Sequence, residues 1–216
     1  MKTLNEKLNG LRRELRDRKA RVMILGLGSV GNYLLDYILS SGDEGLEICV
    51  AGRNREKMVS DVNIVKVASL IRGQNRCGVD VMAGVDLNDI SAIRDCIRAW
   101  KPDIIVNSSR AYSGLKYGSI SWGAVRAYGI WSPLAVKYIK NIMEAYEEAG
   151  SEAIVINTSY SDVVIPWLKS AGKAYPDFGS GNINHLIPRI KFAVAKKCNI
   201  KDYWNIDVTY AVAQFH

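Results

Sequence analysis

The sequence predicts an α/β protein built on a doubly wound parallel sheet, and three observations carry that expectation. Short, β-branched apolar segments alternate with longer amphipathic ones along most of the 216 residues. The short segments at 22–25, 46–51, 104–107 and 153–157 are apolar at successive positions rather than at every second one. Strands buried on both faces of a sheet have that pattern. The first short segment runs directly into Gly26-Leu27-Gly28-Ser29-Val30-Gly31 and then into an amphipathic stretch, the order strand, glycine turn, helix.

The elements follow in order. Leu4, Leu8, Leu11 and Leu15 recur at helical spacing and predict a helix over 3–18, packed on the body or on a second subunit. The glycine turn opens a helix through Leu34, Leu35 and Ile38, and residues 46–51 form the second strand. A helix is expected over 55–72, with Val59, Val62, Val65, Val67 and Leu70 as its apolar positions. A strand starts at 79–82, a helix covers 88–100, and the strand 104–107 leads into a Gly-, Ser- and Tyr-rich loop over 109–124. A long helix over about 125–149 ends at Gly150, where a terminating glycine belongs, ahead of the strand 153–157. From Ser161 the character changes: helical turns near 161–171 and 183–198 flank the turn Gly179-Ser180-Gly181, and 207–213 reads as a strand. The expected organisation is an N-terminal helix (1–20), a sheet domain (21–160) and the start of a second, smaller region (161–216) that is incomplete.

Composition narrows the function classes. No apolar run approaches the ~20 residues of a membrane-spanning helix, and the charged N-terminus lacks the apolar segment of a secretory leader. A cytoplasmic protein with no membrane partner is expected. The four cysteines are scattered, with no C-x-x-C pair and no histidine at ligand spacing, so buried free thiols are expected and neither a metal site nor a disulfide framework. The net charge of +7 is concentrated in the first twenty-one residues, and there is no aromatic-interleaved basic stripe. An anionic small-molecule ligand accounts for that better than nucleic acid.

The glycine motif points to the ligand. Gly26 allows the tight turn, Gly28 lets the backbone approach a pyrophosphate, and Gly31 permits close helix–strand packing, while the helix that opens at Ser29 and Val30 offers free N–H groups to phosphate. A dinucleotide is therefore expected here. The tip of the second strand selects which one: an acidic residue there would bond a ribose 2′-hydroxyl, but the chain reads Gly52-Arg53-Asn54-Arg55-Glu56-Lys57. A guanidinium at Arg53 suits a 2′-phosphate, with Asn54 beside it, so NADP is favoured over NAD. Ligands in such sheets sit outside the carboxyl ends of the strands, which places Asn107, Ser108, Ser109 and Asn157 at the cofactor.

Hydride transfer needs a proton partner, and histidine titrates near neutrality. The chain has two, His185 and His216. Arg189 is placed to hold an anionic substrate group. The resulting expectation is an oxidoreductase using NADP(H) on a small polar hydroxy- or amino-acid-like substrate, or alternatively a non-catalytic NAD(P)-binding regulatory module. The leucine stripe over 4–15 suggests a homodimer.

The order of features over 21–216 resembles the lactate/malate dehydrogenase superfamily. Pro102-Asp103-Ile104-Ile105-Val106-Asn107 is similar to that family's fourth strand, 126–148 to its long helix, and Asn157-Thr158-Ser159-Tyr160-Ser161-Asp162 to its Asn-Pro-x-Asp segment. Gly179-Ser180-Gly181 and the following helix resemble its Gly-Ser-Gly turn, and 208–216 the strand delivering its catalytic histidine. The resemblance implies a Rossmann fold and a nicotinamide cofactor. It places His216 at the proton donor and His185 where the family has the aspartate that orients that donor. Arg189 stands one position beyond the family's substrate-carboxylate arginine. Ala51-Gly52-Arg53-Asn54 and Val85-Asp86-Leu87-Asn88-Asp89 are also similar to saccharopine-reductase-like NADP domains, which implies NADP.

Overall fold

A computed structural model describes residues 2–111, 131–159, 161–181 and 186–209. The chain forms two compact units, Met1–Gly179 and Ser180–His216.

Among the described residues of the first unit, six strands make one sheet in the order β3-β2-β1-β4-β5-β6, with every neighbouring pair parallel. The strands are β1 (Ala20–Leu25), β2 (Leu46–Gly52), β3 (Gly78–Ala83), β4 (Ile104–Asn107), β5 (Ile154–Asn157) and β6 (Phe178–Gly179). The helices are α1 (Leu4–Glu14), α2 (Ser29–Ser40), α3 (Arg55–Arg72), α4 (Ile90–Trp100), α5 (Trp131–Glu148) and α6 (Ser161–Ser170). This is the doubly wound order, and it reverses direction between β1 and β4.

Side chains alternate across the sheet, so each strand feeds two cores. Val22, Ile24, Ile48, Val50 and Val106 meet Leu35 and Leu39 of α2 and Met58, Val62 and Val65 of α3 on one face. Met23, Leu25, Ile105 and Val155 meet Ile93 and Ile97 of α4, Ile139, Ile142 and Met143 of α5, and Val164 and Leu168 of α6 on the other. Two-sided burial is the physical cause of the continuous apolar strands read from the sequence.

Several expectations shift. The helix α1 starts where predicted, on a capping box in which Thr3 Oγ1 accepts from the Glu6 N–H (3.3 Å) and the Glu6 carboxylate accepts from the Thr3 N–H (2.7 Å). It ends at Glu14 instead of 18, where Arg18 turns back to donate to Glu14 and to both carboxylate oxygens of Asp103. Its leucine stripe is half-buried against the body, so that stripe is no longer an argument for a second subunit. In the middle of the stripe Lys7 is buried, its ammonium 2.7 Å from Asp177 and donating to the Ala153 carbonyl at 3.0 Å.

In α3 the inner positions are Met58, Val62, Val65 and Ser69, whereas Val59, Val67 and Leu70, expected inside, are exposed. The strand β6 lies where a turn was expected to begin, pairing Phe178 with Ile156 and Gly179 with Asn157. With β6 at the edge of the sheet and α6 packed on its face, the first unit extends to Gly179, whereas the sheet domain was expected over 21–160.

The second unit contains α7 (Leu186–Cys198) and a single 3₁₀ turn, Tyr203–Asn205, whose Tyr203 ring stacks on Phe192 with centroids 4.4 Å apart. Residues 207–209 are not strand, and the rest of the expected strand lies outside the described residues, as does most of the 109–124 loop. Cys49, Cys77 and Cys96 are buried; Cys198, also expected inside, is exposed. Burial pushes the Cys49 thiol up to about 12 and that of Cys96 up to about 11, so neither is a nucleophile at neutral pH. No helix among the described residues is long and apolar enough to cross a membrane.

Candidate dinucleotide-binding site

At the carboxyl ends of β1, β2 and β4, where the strand order reverses, lies a crevice of about 660 Å³. The turn after β1 forms its floor. Gly26 has φ +87°, in the left-handed region, and a Cβ there would stand 2.9 Å from the Cβ of Ser109. Both facts require glycine. Gly31 faces inward from the first turn of α2: its Cβ would meet the Gly26 carbonyl oxygen and Ser108 Oγ, each at 2.6 Å. These two atoms are themselves bonded, Ser108 Oγ donating to the Gly26 carbonyl at 2.5 Å. The helix can thus start only this close to the sheet without a side chain.

Gly28 plays a different part. It is the N-cap of α2, no side chain caps the helix, and nothing lies within 4 Å of the position its Cβ would take. The N–H groups at the start of α2 therefore open onto the crevice, with Ser29 and Val30 beside them. An anion fits this arrangement: a concave turn, free donors and the positive end of a helix converge where a Cβ or capping side chain would otherwise sit.

The next wall comes from the end of β2. Arg53, exposed, and Asn54 both line the crevice. The Asn54 side chain is committed to capping α3, accepting from the Lys57 N–H at 2.9 Å, so of this pair Arg53 is the one free to reach a ligand. Lys57 lines the same wall and pairs with Asp61 one turn on, at 2.5 Å. The loop after β3 bonds onto this end of β2, the Val85 N–H donating to the Gly52 carbonyl (3.1 Å), and brings Val85, Asp86 and Leu87 to the crevice. The Asp86 carboxyl is held below its usual range, first by the Asn88 N–H that donates to it and with help from the charge of Arg53. Arg110 and Tyr138 of α5 complete the lining.

Of the four residues expected at the ends of β4 and β5, two line the crevice and two do not. Ser108 and Ser109 line the crevice, whereas Asn107 and Asn157 lie just beneath it, 1% and 0% exposed. Asn107 Nδ2 donates to Asn157 Oδ1 at 2.8 Å, Asn157 Nδ2 donates to the Ser159 carbonyl at 2.7 Å, and Asn107 Oδ1 accepts from the N–H and hydroxyl of Ser109. These amides brace the carboxyl ends of β4 and β5. Arg189 is exposed on α7, in the second unit. His185 and His216 lie outside the described residues.

Asp61, Asp86 and Tyr138 join the site without having been singled out for it. The rule that ligands sit beyond the carboxyl ends of strands, applied to β3 as well as β4, points to Asp86; Asp61 and Tyr138 carry no local signal. From this geometry, a Gly31→Ala substitution is expected to push α2 off the turn and weaken dinucleotide binding by about fivefold or more, since overpacking of this kind costs about 1–3 kcal/mol. Calorimetric titration checks it, and unchanged affinity would remove the turn from the site.

The fold is of the Rossmann type. No family model matches the sequence, and no curated protein matches it. Solved structures do match in shape. A lactate dehydrogenase from Eimeria maxima, solved with NADH and oxamate, is 12% identical, with 85% of this chain and 50% of that one covered at a TM-score of 0.55. The lactate dehydrogenase from Cryptosporidium parvum, complexed with lactic acid and β-nicotinamide adenine dinucleotide, is 13% identical, with 88% and 53% covered at 0.56. The chain therefore spans about half the length of these enzymes, and at such identities the likeness is one of fold.

Proposed function

We propose that this chain binds a nicotinamide dinucleotide in the β1–β4 crevice, with preference for NADP(H), and serves an oxidoreductase acting on a small polar hydroxy- or amino-acid-like substrate. The observation that carries the reading is the uncapped N-terminus of α2 over a turn that only glycine permits at 26 and 31. The coenzyme's pyrophosphate belongs on Gly28 and Ser29 and its 2′-phosphate on Arg53. The apolar side chains of Val85, Leu87 and Met58 offer a surface for adenine. When bound, the nicotinamide supplies or accepts the hydride. The chain's own share is to hold both phosphate groups, to keep the floor rigid through the Asn107–Asn157 bridge, and to provide a proton partner, for which His185 and His216 are the candidates and Arg189 the substrate anchor.

Parallel calorimetric titrations with NADPH and NADH test the reading: NADPH should bind at least about tenfold more tightly, one charge-assisted contact being worth about 1.5–3 kcal/mol. No binding of either refutes it. The preference should also shrink as pH falls from about 7.5 to about 5.5, because a phosphate monoester loses its second charge near pH 6. Asp86, whose carboxyl is already held low, stays ionised in that window. A preference that instead rises on acidification would place the discriminating charge elsewhere.

A further inference from the structure

The face that α3 turns to the crevice carries a second cation together with its own counter-ion. Asn54, Lys57, Met58 and Asp61 all line the crevice, and their spacing is that of one side of a helix over two turns. Asn54 is spent on capping and Met58 is apolar. The other two form an ion pair at 2.5 Å, Lys57 with 67% of its side chain exposed and Asp61 with 22%. Among the described residues one further carboxylate lines the crevice, that of Asp86, and its Oδ1 accepts from the N–H and the Nδ2 of Asn88 at 2.9 and 2.8 Å. Asp61 is the carboxylate of this wall that is bonded to a cation.

Charge decides what such a pair does. Arg53 and Lys57 stand against Asp61 and Asp86, so this wall sums to zero. A 2′-phosphate brings close to two negative charges at neutral pH and is repelled by a nearby carboxylate. An exposed pair one helical turn apart is weak, whereas an ammonium donating to phosphate makes a strong, charge-assisted bond. Lys57, on a flexible and exposed stem, loses little by leaving Asp61 for such a ligand. A 2′-hydroxyl gives it no reason to leave. We propose that Asp61 is a positioning residue that sets how strongly the crevice prefers NADP(H), holding Lys57 as its resident counter-ion until a 2′-phosphate takes its place, a role that rests on the coenzyme reading above.

Calorimetric titration of the whole chain with NADPH and with NADH tests this role on the wild type, Asp61→Asn, Lys57→Ala and the double variant. Asp61→Asn should bind NADPH about fivefold more tightly, the upper range of what giving up an exposed pair returns, and NADH within about twofold of wild type. A merely structural Asp61 would move both coenzymes together. Lys57→Ala should bind NADPH about fivefold more weakly, and on that background Asp61→Asn should gain less than about twofold. Should Asp61→Asn not fold, Lys57→Ala decides, and an unchanged NADPH affinity there overturns the proposal. A wild type that prefers NADPH, with either no gain in Asp61→Asn or a gain that persists without Lys57, overturns the role of Asp61 and leaves the coenzyme reading standing. A wild type that binds neither coenzyme overturns both.

Discussion

Replacing Arg53 by aspartate is expected to weaken NADPH binding by about 100-fold while leaving NADH within a few-fold of wild type. The guanidinium stands at the end of β2 on the wall of the crevice, free of the capping duty that occupies Asn54. Its removal costs a charge-assisted contact worth about 1.5–3 kcal/mol, and the new carboxylate would add repulsion against a dianionic phosphate. The same carboxylate suits a 2′-hydroxyl, so NADH loses little. Paired titrations of the variant give the answer. Equal losses for the two coenzymes would show that Arg53 supports the fold of the β2 end rather than reading the ribose.

The second large effect concerns stability. Lys7→Ala should destabilise the first unit by about 3–5 kcal/mol, the usual consequence of leaving one charge of a buried pair without its partner. Asp177 is 4% exposed at its side chain, and after the substitution its carboxylate would keep the Val155 N–H, at 2.8 Å, as a donor but no counter-charge. The Ala153 carbonyl would lose its donor as well. Urea unfolding at neutral pH measures the change. Neutralising both ends together, Lys7→Met with Asp177→Asn, should recover a large part of it. A loss below about 1 kcal/mol for Lys7→Ala would mean the pair behaves like an exposed one.

These two residues also mark how far the sequence could be read. Arg53 was visible because the glycine turn and the β2 tip stand at a spacing that the coenzyme itself dictates, with no need to know the rest of the chain. Lys7 was hidden: a lysine inside a leucine stripe looks like a solvated face, and its partner lies 170 positions away. The helix α3 was placed at its true limits, 55–72, from the run of apolar positions between them. Its exposed Val67 was misassigned because an apolar residue on the outer side gives the same local pattern as one on the inner side.

The strand β6 escaped because two exposed residues, Phe178 and Gly179, leave no periodicity to detect. At the site, Gly26, Gly28 and Arg53 come to the crevice from the motif, whereas Asn107 and Asn157 stand at the expected strand ends but are buried and bonded to each other. An amide at a strand end looks identical whether it meets a ligand or another amide, and only the parallel pairing of β4 with β5, which sets Asn107 opposite Asn157, distinguishes them.

That amide-to-amide brace has a consequence for how the protein behaves across physiological acidity. Neither side chain gains or loses a proton, so the brace between the two strand ends is as firm in mildly acidic surroundings as at neutrality. Any acid-dependent slackening of coenzyme retention would then originate in the ligand's own phosphate or in the carboxylates of the crevice wall, and the floor beneath would be a fixed platform rather than a sensor.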